Sequence, residues 1–421
     1  MGRGRLQVLQ WRQPQRIKMP NLPVICVFGV SEIRLDSAGP VPYFETTEMD
    51  CRCYKDDSDL AQILVRDRPV GIVSFGKDTD FPNLGRAPWF VRRIWLNFED
   101  MSQLDIKGAA VFRCFLHNAL ARRNDMPLVS VFTGAYKTGD RIHKPLNSLI
   151  GQTYGDWEWV IVDDSDDDGE TWEMLCGLAE KDCRIRVYRA HRPSGVIGNV
   201  KRTACDLARG EYLVELDHDD MLTSKALDLI VRGYDMNPEV GFIYSDCTEC
   251  QEGGAPWLYG EGWGMGYGSY REEEHGGVKY KVINTPHINA KTIRHIVAAP
   301  NHVRSWRSSV YHAIGGHNDL LHVVDDYELL VRTFLNTRMG YIPKMLYVQY
   351  RNQTGNTHQL MEREIQRLVR YVSECYDEVI HERFLELGVD DFVWKEGESS
   401  FMRLLSVPNP EVEPHCTVTI E

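Results

Sequence analysis

Residues 214–223 read VELDHDDMLT, and Asp217, His218, Asp219 and Asp220 follow directly on an apolar run. Two unpaired carboxylates about 4 Å apart repel by roughly 1 kcal/mol in bulk water and about 4 kcal/mol near a protein surface. In extended chain, side chains alternate faces, so Asp217 and Asp219 share one side and His218 takes the other. Two carboxylates on one side make a hard oxygen site suited to Mg2+ or Mn2+, and such an ion can be shared with phosphate oxygens. Asp220 suits the start of the following helix. Two more apolar runs end in acids: WEWVIV in Asp163 and Asp164, and GFIYS in Asp246. Acids at strand ends also cap helices or solvate turns. Their recurrence at three such ends favours a shared site.

These acids need elements to position them. From residue 128, LVSVFTG, WEWVIVDDS, IRVYRA, EYLVELD and VGFIYSD alternate with the helix-like KPLNSLIGQ, GETWEMLCGLAEK, GNVKRTACDLARG and TSKALDLIVRGYDMN. That rhythm predicts an α/β fold with a mostly parallel sheet flanked by helices, whose ligands bind beyond the strands' carboxyl ends. Thr223 or Ser224 is expected to cap the last of these helices. Residues 251–280, rich in glycine and aromatics, have no period: they suit a lid over a sugar or base, or a surface loop. Residues 359–388 read as amphipathic helix, followed by an irregular tail.

Upstream, PVICVFGV, PVGIVSFG and VRRIWLNF are strand-like and SDLAQILVRD and residues 108–123 helix-like. The expected division is a basic arm at 1–19, a small α/β domain at 20–124, the acid-bearing domain at 125–358, and C-terminal helices and tail at 359–421. VSFGKDTDF is either a ligand loop at a strand end or plain surface.

The 421 residues carry 61 acids against 48 Lys and Arg, a formal charge of -13, which argues against a general nucleic-acid binder. A local basic groove stays open, with KTIRHIVAAPNHVRSWR either an acceptor surface or ordinary solvated and core residues. The 11 cysteines show no framework and no apolar leader follows the basic N-terminus, so reduced thiols in a cytoplasm are expected. Cys247 and Cys250 have zinc-like spacing but no second pair nearby. No segment is apolar enough to span a bilayer.

PLVSVFTGAYKTGDRIHKPLNSLIGQTYGDWEWVIVDDSDDDGE, ARGEYLVELDHDDML, NPEVGFIYSD and IGGHNDLLHVVDDYELLVRTF, in that order, resemble family 2 glycosyltransferases of the GT-A fold. The resemblance runs from residue 127 to about 358 and implies an inverting enzyme that takes a sugar from a nucleotide-diphosphate donor. Thr133, Gly134 and Tyr136 would hold base and ribose. Asp164 would accept the base's imide N–H, which favours uracil or thymine and could also suit guanine, with a UDP-sugar the favoured donor. Lys201 would face the diphosphate, with Arg202 its competitor. Asp217 and Asp219 form the DxD motif for Mn2+ or Mg2+, Asp217 also reaching the ribose, and His358 is a candidate third ligand. Asp326 matches the catalytic base, with Asp325 and Glu328 as nearby competitors. His302, Trp306 and Asp325 are candidates for acceptor binding. Lys137 departs from the family's Asn, and DDSDDD from its DDGS. A glycan, lipid-linked sugar, protein or modified nucleic-acid base are all open as acceptor. A nucleotide-sugar-binding or partner-docking protein without catalysis, or a nucleotidyltransferase, are the alternative readings.

Overall fold

The computed structural model describes residues 24–29, 50–67, 69, 71–92, 94–99, 128–182, 184–189, 192–295, 300–352 and 360–421. The chain divides into two compact units, Met1–Met126 and Pro127–Glu421. The basic arm and the helix expected at 108–123 lie outside the described residues.

In the first unit, β1 (Val24–Phe28), β2 (Asp50–Tyr54), α1 (Leu60–Asp67), β3 (Gly71–Phe75) and β4 (Trp95–Phe98) build a parallel sheet in the order β2-β1-β3-β4. The apolar runs VICVF and GIVSF take its two central positions, where both strand faces are covered. One side of α1, Leu60 and Ile63, packs into the same core as Cys26, Phe28 and Ile72.

The second unit opens with β5 (Val129–Ala135), α2 (His143–Ile150), β6 (Trp157–Asp163), α3 (Glu170–Ala179), β7 (Ile185–Arg189), α4 (Ile197–Leu207) and β8 (Tyr212–Glu215). It continues through β9 (Met221–Leu222), α5 (Ala226–Met236), β10 (Val240–Gln251), β11 (Ser269–His275), β12 (Val278–Asn284) and β13 (Arg304–Arg307). It closes with α6 (Asp325–Asn336), β14 (Arg338–Arg351), α7 (Glu362–Leu387) and β15 (Thr417–Thr419). Its sheet runs β11-β12-β10-β13-β8-β5-β6-β7, with β14 beside β10. β13 is antiparallel to both neighbours, β8 and β10, while β8, β5, β6 and β7 are parallel. The sheet is mixed, with a parallel half, β8-β5-β6-β7, and a half in which antiparallel pairs predominate, and with its flanking helices it has the GT-A arrangement expected.

Four local expectations change. β10 continues to Gln251, so Asp246 lies inside a strand and not at its tip. Its buried carboxylate is satisfied there by Tyr341 Oη (2.6 Å), the Thr285 N–H (2.8 Å) and Arg271 Nη1 (2.5 Å). Residues 269–284 form a hairpin on Gly276 and Gly277, both with positive φ. The N-cap of α5 is Lys225, without a side-chain cap from Thr223 or Ser224. The tail contributes β15, which pairs in parallel with β14, and α7 buries Ile365, Val369, Val372, Ile380 and Phe384 in the core that holds Trp306 and Leu329. Residues 360–421 therefore complete the second unit's packing.

Candidate active site

Asp217 to Asp220 follow β8 after Leu216 and lie in a turn, the Asp220 N–H donating to the Asp217 carbonyl at 3.3 Å, and not in the extended chain expected. Asp220 is fully committed: Tyr347 Oη donates to one oxygen at 2.8 Å and the Tyr350 N–H to the other at 2.7 Å. Burial, then Asp219 and Asp217, push its carboxyl well above the usual range. Asp217 receives Lys201 Nζ at 3.2 Å on one oxygen and has His302 Nε2 at 3.9 Å from the other. Burial raises this carboxyl, but Lys201 and His302 outweigh it and leave it below its ordinary value. Among the described residues Asp219 is the least engaged of the three, with one 3.3 Å hydrogen bond from Asn352 Nδ2.

These are hard oxygen donors. Among the described residues no cluster of three or more His, Cys, Asp or Glu side chains could hold a metal. His358 lies outside the described residues. Asp217 and Asp219 would suit a divalent cation that fills the rest of its shell from phosphate and water.

Lys201, from the second turn of α4, is buried between acids, with Nζ 2.5 Å from Glu215 Oε1. Burial lowers its pKa, yet Asp217 and Glu215 outweigh that and hold it well above normal. Its competitor Arg202 points to Asp319 at 3.6 Å and is far more exposed, so Lys201 is the cation at the acidic cluster.

At the far end, Val324 adopts the left-handed region (φ 60°), rare for a β-branched residue, and α6 starts at Asp325. Asp326 accepts from Arg304 Nη1 at 2.9 Å on Oδ2 and from the Tyr327 N–H at 2.7 Å on Oδ1. Burial raises its carboxyl, but Arg304 and Lys201 bring it below the ordinary value. Asp325 is buried, with Oδ2 unpartnered, and burial followed by Asp326 pushes it up to about 7.

Glu215 closes the gap between the two ends. It is wholly buried in β8, with Lys201 on Oε1 and Arg304 Nη1 3.6 Å from Oε2. Asp217, Lys201, Glu215, Arg304 and Asp326 thus form one continuous chain of charges. The sequence reading passed over Glu215 and Arg304. The available signal was an acid amid the apolar YLVEL, on the same face as Asp217, which a buried strand tolerates only with a cationic partner.

The strand tips hold the nucleotide candidates. Thr133 is internal: its hydroxyl donates to the Leu216 carbonyl at 2.5 Å and accepts from Trp159 Nε1 at 2.8 Å. Gly134 serves close packing, since a Cβ there would sit 3.0 Å from Val200 Cγ1. Tyr136 is half exposed and available to a ligand. Lys137 ties the β5 tip to the β6 tip, its N–H donating to Ser165 Oγ (2.9 Å) and its Nζ pairing with Asp166 (2.8 Å). Asp164 accepts from the Ser194 N–H (2.6 Å), the Gly195 N–H (2.8 Å) and Ser194 Oγ (3.1 Å), and so fixes the loop before α4.

The acceptor candidates fare differently. Trp306 is 1% exposed, its indole N–H donating to Thr333 Oγ1, so it packs the core and cannot stack on an acceptor. His302 is buried beside Asp217 and stacks on Tyr347 at 4.5 Å; burial and then Arg304 depress its pKa to about 4. Asp325 packs against Gly198 and likewise turns away from solvent. The segment considered as a basic acceptor surface is mostly interior: Lys291, Arg294, His302 and Arg304 are buried, and Arg294 is paired with Asp377 and Asp391. Cys247 and Cys250 are buried free thiols within β10. Among the described residues no helix is long and apolar enough to cross a membrane.

Residues 130–283 match the family described as glycosyl transferase family 2. The chain is 22% identical over 224 residues to a hyaluronan synthase of Pasteurella multocida, covering 53% of this chain and 20% of that one. It is 36% identical over 95 residues to the Escherichia coli UDP-Glc:alpha-D-GlcNAc-diphosphoundecaprenol beta-1,3-glucosyltransferase WfaP, covering 23% of this chain and 36% of that one. Among solved structures it is similar to S. aureus TarS 1-349 in complex with UDP-GlcNAc, at a TM-score of 0.44 and 17% identity, over 67% of this chain and 82% of that one. The matched stretch spans well under half the length of these curated relatives. The likeness to glycosyl transferase family 2 is thus carried by residues 130–283.

Proposed function

We propose that the second unit is an inverting, metal-dependent glycosyltransferase moving a sugar from a nucleotide diphosphate, UDP-sugar favoured, to an acceptor hydroxyl. The observation that carries the reading is the chain of charges from Asp217 through Lys201, Glu215 and Arg304 to Asp326. It runs from Asp217 of the acid pair at one end to a partly exposed carboxylate at the other. Mn2+ or Mg2+ held by Asp219 and Asp217 would supply charge neutralisation for the departing diphosphate. Lys201 adds a point charge on the same side. Asp326 takes the proton of the attacking hydroxyl, a role typically worth about 10²–10⁴-fold. A single displacement with no nucleophilic side chain predicts inversion.

Tyr136 is exposed to stack on the base. A carboxylate has about four lone-pair positions, and Asp164 uses three, leaving one for the imide N–H of uracil. The printed name of WfaP, a UDP-Glc transferase, points to the same nucleotide. Glycans and lipid-linked sugars are the favoured acceptors, because the burial of Lys291, Arg294, His302 and Arg304 removes the main support for a nucleic-acid base. The test is a screen of UDP-, GDP- and TDP-sugars with Mn2+, read as nucleoside diphosphate release. Release from a UDP-sugar that Asp219→Ala abolishes is the expected result. UDP binding with no release from any donor would favour the non-catalytic reading, and pyrophosphate release from a nucleoside triphosphate the nucleotidyltransferase one.

A further inference from the structure

We propose that Arg304 is a positioning residue for Asp326, and that buried Glu215 joins the base to the donor side by bridging Arg304 and Lys201. The inference rests on the glycosyltransferase reading and deepens it. Arg304 comes from β13 and Asp326 from the first turn of α6, so their 2.9 Å contact fixes a helix start against the sheet. With Arg304 Nη1 on Oδ2 and the Tyr327 N–H on Oδ1, both oxygens are oriented, yet 28% of the side chain stays exposed. The same Nη1 lies 3.6 Å from Glu215 Oε2, an ion-pair contact without a hydrogen bond, and Arg304 Nε donates to the Pro300 carbonyl at 3.4 Å. Glu215 turns its other oxygen to Lys201, which reaches Asp217. Desolvating charges costs several kcal/mol per ion, and well-packed apolar residues of similar volume are often the more stable choice. A chain of five charges through the core of this unit is therefore a weak device for stability. It is an effective one for holding two chemical groups at fixed separation, where a 1 Å misplacement costs about 10²-fold in rate.

The chain also sets the protonation of the base. The groups that act on Asp326 are Arg304 from β13, Lys201 from α4, Glu215 from β8, His317 and its neighbour Asp325. Arg304 and Lys201 favour its charged form, and Glu215 and Asp325 oppose it. Removing the guanidinium raises the pKa of Asp326, so the base becomes protonated at higher pH. Neutralising Glu215 does the reverse.

The test compares pH profiles of kcat for wild type, Arg304→Met and Glu215→Gln on the full chain, with folding followed by circular dichroism. Arg304→Met is expected to lower kcat about 10²-fold with donor KM within about twofold, and to move the acid limb up by about one to three pH units. Glu215→Gln is expected to move the same limb down. A merely structural pair would not shift the limb in opposite directions. A folded Arg304→Met with wild-type kcat and an unmoved limb overturns the proposal. If that variant does not fold, Glu215→Gln decides, and an unmoved limb at wild-type kcat overturns it. Absence of turnover by wild type with every donor overturns the function itself, and the positioning role with it.

Discussion

Asp326 and Asp325 are adjacent acids with different surroundings. Asp326 pairs with Arg304 and stays partly exposed, whereas Asp325 is buried with an unpartnered oxygen and a pKa pushed up to about 7. Asp326→Asn removes the proton acceptor without changing volume, so transfer should fall about 10²–10⁴-fold while UDP binding, measured by calorimetry, stays the same. Equal turnover in this variant would exclude Asp326 as the base. Asp219→Ala should instead weaken Mn2+-dependent UDP binding, because Asp219 has the fewest internal partners of the acids after β8. Unchanged Mn2+ dependence would count against the acid pair as the cation site. The acid pair and Asp326 were legible from residue type and spacing. Their separation into anchored, paired and open carboxylates was not, because Tyr347, Tyr350 and Arg304 reach them from residues far along the chain.

At the scale of elements, α4 meets α6 and the chain before it through a glycine. A Cβ on Gly198 would lie 2.2 Å from the Asn318 carbonyl oxygen and 3.0 Å from Asp325 Cβ, so backbone must move to admit it. Gly198→Ala should cost about 1–3 kcal/mol by urea unfolding and lower kcat by shifting the turn that carries Asp325 and Asp326. Wild-type stability and rate would show that α4 and α6 are not coupled there. The βα rhythm was readable because LVSVFTG, WEWVIV and EYLVEL are buried runs between helical periods. The hairpin was not, because SYREEEH and VKYKVIN are mostly polar or half-exposed and alternate only weakly. The Gly276-Gly277 pair between them was its one clear turn signal.

At the scale of the molecule, the second unit's core depends on chain far from the site. Phe384 of α7 is fully buried, 5.2 Å from Phe334 of α6, whose first residues are Asp325 and Asp326. Phe384→Ala should cost about 3–5 kcal/mol, seen as a lower urea midpoint, with donor KM unchanged. A loss near zero would mean that α7 packs passively on a core that stands without it. Arg294, paired at once with Asp377 of α7 and with Asp391, adds a buried ionic tie between the same layers.

The amino-acid sequence by itself determined the alternation of strand and helix, the acids that end three apolar runs, and the likeness to family 2 glycosyltransferases. Those are local properties, set by side-chain periodicity and by residue types within a few positions. The tertiary structure alone decided that Asp246 is an interior anchor, that Trp306, Lys291, Arg294, His302 and Arg304 face inward, and that Glu215 and Arg304 link the acid pair to the base. Whether a charge is open or spent depends on partners delivered by other strands, and burial fixes how strongly each partner acts.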